Sequence, residues 1–313
     1  MGRDPERRPR GPPALIRLRK LNRVLDRVET ALGDSGDAPL HHPPLFIVGA
    51  PRTGSTLLYQ LVVEAFDVGY LSNRHCRLWG MPSLVERFRR PLPPGAYESR
   101  FGRTSGPASP SECEQFWYRF FRRSPQYLPL EEADPAHLRR LRAAVRSLGN
   151  AAGRPLVFKN LLNTLRLRPL ATALPEAVFV EIRRDLVATA TSLLAGRKQL
   201  FGDYGHWWSS EPPEIARLRA LPPEQQVVEQ IRAVEALAAR DRQAIGGARF
   251  LELRYDDVCD DPARALASIA ELAERNGFQL ARRRDVPAKF PRSEPAKIDR
   301  DLHDRLLGYV TGA

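Results

Sequence analysis

Residues 45–58 constrain the fold of this chain more than any other stretch. They read LFIVGAPRTGSTLL: an apolar run typical of a buried strand, a short loop between Gly49 and Gly54, and an apolar pattern with helical spacing. In such a strand–loop–helix unit, backbone N–H groups converge on an anion and the helix presents its positive end to the same point. The two glycines permit a sharp turn and close approach to a ligand. The stretch therefore predicts a phosphate-binding loop in an α/β fold.

This loop differs from the nucleoside-triphosphate loop, G-x-x-x-x-G-K-[ST], at the position of the lysine. Gly49 and Gly54 have the right spacing, but Ser55 follows them, and the cation comes earlier, at Arg52. An enzyme that splits ATP would lack the lysine that contacts the terminal phosphates. A donor with one 5′-phosphate-linked group fits the loop better than ATP does. The alternative is an ordinary turn in a buried strand–helix unit.

Two segments resemble one family. Residues 51–56, PRTGST, look like the 5′-phosphosulfate loop, P-[KR]-[ST]-G-[ST]-[ST], of sulfotransferases that use 3′-phosphoadenosine 5′-phosphosulfate (PAPS) as donor substrate. Residues 184–192 are similar to the R-D-P-x-x-x-x-x-S pattern of that family, with Leu186 where proline is usual. The resemblance implies a P-loop-like three-layer α/β fold, with a central, mostly parallel sheet and helices on both faces. Apolar strand patterns at 68–71, 155–159, 177–183 and 249–255 agree with it.

The resemblance also implies roles for the donor-binding residues. The backbone of residues 53–56 would hold the 5′-phosphate, and Arg52 would neutralise charge on the bridging oxygen and the sulfonate. Arg184 and Ser192 would bind the 3′-phosphate that distinguishes PAPS from ATP, a task that suits a bidentate guanidinium. Related enzymes close a basic loop over the nucleotide, which here corresponds to 289–297, although the R-K-G-x-x-G motif is absent. The expected donor-binding residues are Arg52, Thr53, Gly54, Ser55, Thr56, Arg184, Ser192, Arg292, Ser293 and Lys297.

Glu112 is the first candidate for the general base. It precedes an aromatic run, and a carboxylate beside aromatic side chains is a stronger base. Its segment also looks like P-x-E-x-x-x-F-W of a bacterial sulfotransferase subgroup. The alternative is a first-turn acid in a helix that Ser111 caps. His75, placed after a short strand, is the second candidate, and the alternative for it is a loop histidine.

Lys159 ends a buried strand, where the family has a lysine that contacts the transferring sulfonate; a surface lysine is the alternative. In the cytosolic branch a histidine two residues later serves as base, but Leu161 stands there in this chain. The expected catalytic residues are therefore Glu112, Arg52, Lys159 and His75.

Charge and cysteine content limit the partners. The net charge of +12 favours anionic partners, but no zinc spacing or aromatic RNA-binding motif accompanies it, so nucleic acid is not expected. The three cysteines lack metal or redox spacing and are expected to be reduced thiols. The acids of 256–261 are explained by turn and cap chemistry, so no metal is expected. No secretory h-region or membrane-length apolar run is evident, which favours a cytoplasmic protein of the bacterial branch.

Residues 1–35 are predicted to form a basic tail, disordered over 1–12, and an amphipathic helix; 36–313 would be one sulfotransferase domain. The helix, 13–33, is expected to pack on the domain through an apolar stripe, with basic residues between its members. The alternative is a dimer contact or a foot on an anionic membrane surface, which would make the protein membrane-peripheral. The stripe consists of Leu18, Leu21, Leu25, Val28 and Leu32.

The resulting hypothesis is a PAPS-dependent O-sulfotransferase that transfers sulfonate to a hydroxyl of a carbohydrate, glycolipid or small-molecule acceptor. Two other classes stay open: a P-loop-type nucleotide kinase, and a non-catalytic nucleotide-binding protein.

Overall fold

The computed structural model describes residues 13–32, 40–89, 97, 99, 102–293 and 297–312. The strands are β1 (Pro44–Val48), β2 (Gly69–Tyr70), β3 (Leu156–Lys159), β4 (Val178–Arg183) and β5 (Phe250–Arg254). The helices are α1 (Pro13–Leu32), α2 (Ser55–Ala65), α3 (Asn73–Arg77), α4 (Pro82–Arg87), α5 (Glu114–Trp117), α6 (Pro135–Ala152), α7 (Leu167–Ala173), α8 (Leu186–Phe201), α9 (Ile215–Leu218), α10 (Pro223–Ile245), α11 (Tyr255–Asp260), α12 (Pro262–Arg275) and α13 (Arg300–Thr311).

The five strands form one sheet in the order β2-β3-β1-β4-β5, and every neighbouring pair runs parallel. In the register, Ile47 of β1 pairs with Lys159 of β3 and with Val180 of β4. Parallel strands end at one edge, so the loop after β1 lies beside the ends of β3 and β4, where open α/β sheets bind ligands. The predicted parallel sheet is confirmed.

Alternate side chains of each strand enter different cores. Phe46 and Phe158 pack with Trp117 and the residues of α6 and α7 on one face. Leu45 and Val157 pack with α2 and α12 on the other face. Both faces are therefore covered by helices, which confirms the three-layer prediction and explains why the strands read as continuous apolar runs.

Helix α1 contacts the domain mainly through polar side chains. The fully buried Asn22 accepts a hydrogen bond from the backbone N–H of Gly80 at 2.8 Å and donates to the carbonyl of Arg77 at 3.0 Å. Asp26 pairs with Arg119 at 2.6 Å. These polar contacts fix which side of the helix faces inward.

The predicted packing of α1 through an apolar stripe is therefore wrong for two of its members. Leu21 and Val28 are 48% and 41% exposed. Leu18 and Leu25 are half-buried. The reason is that hydrogen bonds to buried backbone groups decide the inward face. Residues 1–12 and the side chain of Leu32 lie outside the described residues, and the domain boundary at 35/36 stays a prediction.

The predicted cap near Glu112 is wrong. Cys113, not Ser111, is the N-cap residue of α5, with a φ of 44°, and Ser111 instead accepts a hydrogen bond from the Cys76 thiol. Helix α8 is capped by Asp185, whose carboxylate accepts a hydrogen bond from the backbone N–H of Ala188 at 2.8 Å.

Candidate active site

The loop between β1 and α2 has a backbone that few residues can adopt. Gly49, Arg52 and Gly54 have φ values of 143°, 70° and 89°. The hydroxyl of Thr164 stabilises Gly49 through two hydrogen bonds: it accepts from the backbone N–H of Gly49 at 2.9 Å and donates to the Gly49 carbonyl at 3.0 Å. These bonds connect the loop to the segment that follows β3.

Both glycines are also required by their neighbours. A Cβ at Gly49 would lie 2.5 Å from the carbonyl oxygen of Ile182, and one at Gly54 would lie 2.2 Å from a ring carbon of Tyr255. The ring of Tyr255 thus packs directly on the glycine that precedes α2. Because Tyr255 directly follows the edge strand β5, this contact joins the loop to that edge of the sheet.

Two arginines and a serine meet beside this loop. The Nε of Arg52 donates to the hydroxyl of Ser192 at 3.0 Å, and its guanidinium lies 5.9 Å from the ring centre of Trp208. Burial, together with the charge of Arg184, lowers the pKa of Arg52. The Arg184 guanidinium lies 4.5 Å from the ring centre of Tyr255. The structure therefore brings together Arg52, Arg184 and Ser192, and their positive charge attracts an anion.

Lys159, the last residue of β3, extends its side chain to the first turn of α2. Its ammonium donates to the hydroxyl of Thr56 at 3.2 Å and to the carboxylate of Glu112. Lys159 is only 2% exposed, so the alternative of a surface lysine is wrong. The Glu112 carbonyl accepts from Trp117 at 3.1 Å and from Asn160 at 3.2 Å, which holds this residue against β3 and α5.

Gly102 covers the same group of side chains. A Cβ built on it would lie 3.4 Å from the carboxylate of Glu112, 3.5 Å from the Thr56 hydroxyl and 3.7 Å from the Lys159 ammonium. The segment between α4 and α5 therefore reaches the site at this residue. Residues 90–96, 98, 100 and 101 of that segment lie outside the described ranges.

With this geometry in place, comparison with known proteins identifies the family. The family model described as "Sulfotransferase family" matches residues 43–278. The chain belongs to the sulfotransferase family. Its matched region contains the loop, Glu112, Lys159, Arg184 and Ser192.

Two curated sulfotransferases are similar to this chain. Both are named omega-hydroxy-beta-dihydromenaquinone-9 sulfotransferase Stf3, one from Mycobacterium bovis and one from Mycobacterium tuberculosis. Each is 28% identical over 249 residues, which make up 70% of this chain and 60% of the relative. The chain thus matches less than two thirds of their length.

A solved sulfotransferase shares the fold. The crystal structure of sulfotransferase STF9 from Mycobacterium avium aligns with a TM-score of 0.53 at 17% identity, covering 94% of this chain and 72% of that one. At this identity the likeness concerns the fold alone.

The three C-terminal residues expected at the donor site have different surroundings in the structure. Ser293 donates its N–H to the Tyr255 hydroxyl at 3.0 Å and accepts from Arg184 through its carbonyl at 3.4 Å. Arg292 instead pairs with Asp260, which raises its pKa. Lys297 is exposed. Only Ser293 of the three is thus seen in contact with the arginine cluster.

His75 lies in the interior, with no exposed surface. Its Nδ1 accepts a hydrogen bond from the backbone N–H of Ser72 at 3.1 Å, as part of the capping box of α3. Its Nε2 lies 3.4 Å from the Glu86 carboxylate, which joins α3 to α4. A catalytic role for His75 stays a prediction without a contact here that would support it.

Three residues of the candidate site were not predicted from the sequence: Thr164, Tyr255 and Gly102. None of them lies in either of the two segments that resemble the family. A glycine in a segment rich in Pro, Arg and Ser was the one available signal for Gly102. In the described part of the chain, no helix is both long and apolar enough to span a bilayer, and no group of three or more His, Cys, Asp or Glu side chains is placed to hold a metal.

Proposed function

We propose that this chain transfers the sulfonate of PAPS to a hydroxyl group of an acceptor. The observation that carries the proposal is the position of Lys159, whose ammonium joins the Thr56 hydroxyl to the Glu112 carboxylate. One buried cation thus stands between the first turn of α2, where an anion is stabilised, and a base. Family membership makes the kinase and the non-catalytic alternatives less favoured.

The residues around the loop fit a donor with phosphates at both ends of its nucleoside. The first turn of α2, with Ser55 and Thr56, would receive the 5′-phosphosulfate, next to Arg52 and Lys159. Arg184 and Ser192 would bind the 3′-phosphate, with Ser293 beside them. Burial and the charge of Arg184 lower the pKa of Arg52, so the two guanidinium groups repel each other and bound phosphates would relieve that repulsion. Arg292, which pairs with Asp260, and Lys297 complete the proposed donor-binding residues.

The bound donor supplies a sulfur atom whose bond to the phosphate oxygen breaks as the acceptor oxygen attacks. Glu112 accepts the hydroxyl proton, and the products are a sulfate ester and 3′-phosphoadenosine 5′-phosphate. Lys159 and Arg52 stabilise the negative charge that develops on the oxygens, by electrostatics already in place before the reaction. The hydrogen bond between Lys159 and Glu112 has to break before Glu112 accepts the proton, because the ammonium cannot contact the carboxylate and the sulfonate equally well.

We place lipid-like hydroxyls first among the acceptors. The curated relatives are named for a hydroxylated dihydromenaquinone. Carbohydrates, glycolipids and small molecules remain in the panel. A cytoplasmic location in a bacterium completes the proposal, and the free thiols of all three cysteines agree with it.

The test first compares the affinities of different nucleotides and then measures sulfonate transfer. In calorimetric titration, 3′-phosphoadenosine 5′-phosphate should bind more tightly than adenosine 5′-phosphate, and Arg184→Met should remove about tenfold or more of that preference. Arg183→Met is the matched control, because Arg183 pairs with Glu181 at 3.0 Å and with Glu252 at 3.4 Å instead. Mass spectrometry of acceptors incubated with PAPS then detects the sulfate ester. ATP binding as tight as that of the 3′-phosphorylated nucleotide would contradict the proposal.

A further inference from the structure

The outward side of α1 carries an apolar stripe in water. Leu21, Val24 and Val28 are 48%, 56% and 41% exposed. Their spacing of three and four residues places them in one row along the helix. Single exposed apolar residues are common on protein surfaces, but a row of them indicates an interaction site.

A basic stripe runs directly beside it. Lys20, Arg23 and Arg27 are exposed and precede the three apolar residues by one position each. The two rows therefore have the same spacing and lie side by side along the outer surface. The acids of this helix face inward: Asp26 pairs with Arg119, and the buried Glu29 accepts a hydrogen bond from Ser83 at 2.8 Å.

Helix α4 and the residue after it add exposed apolar side chains near α1. The hydrogen bond between Glu29 and Ser83 joins the two helices. Leu84 and Phe88, the C-cap residue of α4, are 46% and 70% exposed, and Phe88 has the largest exposed fraction among the exposed apolar side chains described. We call the exposed residues of α1 and α4, together with Phe88, the α1–α4 surface: Lys20, Leu21, Arg23, Val24, Arg27, Val28, Leu84 and Phe88.

We propose that the α1–α4 surface docks on an anionic lipid bilayer. Leu21, Val24, Val28 and Phe88 would enter the boundary between headgroups and acyl chains, while the basic stripe contacts lipid phosphates. This pairing of an apolar row with an adjacent cationic row matches an interfacial helix. The net charge of +12 adds attraction to a negative surface.

The charges argue against a second copy as the occupant. A symmetric dimer through this surface would bring two basic stripes close together. The acids of α1 are turned inward and cannot neutralise them. Removing the apolar side chains from water favours either occupant, but only the bilayer provides the opposite charge.

The inference stands on the surface alone and holds whatever the acceptor is. With a lipid acceptor, docking would bring Glu112 and Lys159 to the compartment that contains the hydroxyl. Failure of membrane binding and failure of sulfonate transfer can therefore be observed separately, by vesicle binding in one experiment and by transfer to a soluble acceptor in another.

The experiment is flotation of the full chain with vesicles of phosphatidylcholine, with or without phosphatidylglycerol. We expect binding to the anionic vesicles, weaker binding to the neutral ones, and a loss of binding as salt is raised. Val24→Ser/Val28→Ser/Phe88→Ser should weaken binding by about tenfold or more. Arg23→Gln/Arg27→Gln should weaken binding to anionic vesicles and remove the salt dependence.

Each variant has a control elsewhere on the surface. Leu200→Ser removes an apolar side chain that is 46% exposed at the end of α8. Arg264→Gln/Arg275→Gln removes two exposed cations of α12. Both controls should bind vesicles like the wild type. A cooperative urea-unfolding transition like that of the wild type shows that each variant is folded. If the apolar variant does not fold, the charge variant alone tests the proposal.

Three results would overturn the proposal. The first is no binding of the wild type to anionic vesicles, and the second is equal binding by the wild type and both α1–α4 variants. The third is a dimer in sedimentation velocity that dissociates on Val24→Ser/Val28→Ser/Phe88→Ser, which would assign the surface to a second copy.

Discussion

The ammonium of Lys159 donates a hydrogen bond to the carboxylate of Glu112. The lysine side chain is 2% exposed and the glutamate side chain 25%, so the pair connects the interior end of β3 with the more open side of the site. A sulfonate that attracts Lys159 would therefore free Glu112 to accept a proton. In the proposed mechanism, arrival of the donor would thus prepare Glu112 to act as the base.

Replacing the proposed base should slow transfer and leave the proposed donor site in place. We expect Glu112→Gln to lower kcat by about 10²- to 10⁴-fold, the usual range for a lost general base. Affinity for 3′-phosphoadenosine 5′-phosphate should change little. Glu114→Gln, on the first turn of α5, is the control and should retain activity. A Glu112→Gln enzyme with wild-type kcat would remove this residue from the mechanism.

Lys159→Met should also lower kcat, and the double variant tests whether the two residues act together. Because Lys159 and Glu112 are in contact, the combined loss in Lys159→Met/Glu112→Gln should be smaller than the product of the single losses. Single-turnover rates with saturating donor measure it. Strictly multiplicative losses would mean that the two side chains act independently.

The glycine at the start of α2 is required for two separable reasons. Gly54→Ala puts a methyl group where φ is 89° and where the Tyr255 ring lies 2.2 Å away. Gly153→Ala meets a similar positive φ of 64° but no atom within 4 Å. The control should lose about 1 kcal/mol of unfolding free energy from the backbone alone, and Gly54→Ala about 1–3 kcal/mol more from overpacking.

Urea denaturation measures the difference, and calorimetry should show that only Gly54→Ala weakens nucleotide binding. Equal losses of stability in the two variants would mean that the Tyr255 contact does not constrain the loop.

The hydroxyl of Thr164 should matter more than its volume. Thr164→Val keeps the shape but leaves the N–H and the carbonyl of Gly49 without this partner, which should cost about 1–3 kcal/mol of unfolding free energy. Thr191→Val is the control: its hydroxyl is also buried, and no hydrogen bond to it is found among the described residues. That change should be neutral or stabilising. Equal effects of the two changes in urea denaturation would show that the bond to Gly49 does not support the loop.

Stability should depend on pH through Glu29, which anchors α1. Burial raises the pKa of its carboxyl above the usual 4.5. The folded state therefore holds the proton more tightly, so the contribution of Glu29 is full below about pH 4.5 and is lost as pH rises through the raised pKa. The free energy of unfolding of Glu29→Gln should therefore rise relative to that of the wild type as the pH increases through that range. Urea denaturation from about pH 4.5 to 8 measures the difference.

Glu176→Gln should show the opposite trend. Burial works to raise the pKa of Glu176, but hydrogen bonds from Arg142 and from backbone N–H groups outweigh it and hold the pKa below 4.5. Its contribution is present above that value and is lost as pH falls through the lowered pKa. The free energy of unfolding of Glu176→Gln should therefore fall relative to that of the wild type as the pH rises. Parallel pH profiles for the two variants would contradict both assignments.

The sequence by itself determined the features that are local. Gly49 and Gly54, an apolar strand and an apolar helix lie within fourteen residues, and short-range periodicity decides their conformation. The parallel sheet followed from repetition of such units, because each apolar strand has to be covered on both faces. The position of Lys159 at a strand end was predicted for the same reason.

Only the tertiary structure decided which distant residues meet. Thr164 holds Gly49 across 115 positions, and Lys159 reaches Glu112 across 47. No local pattern encodes such pairs, since they depend on how whole helices and loops pack. The inward face of α1 was decided in the same way. Asn22 and Glu29 accept hydrogen bonds from the domain, and this leaves Leu21 and Val28 of the apolar stripe exposed. The physical reason is that a buried polar group without a partner costs more free energy than an exposed leucine.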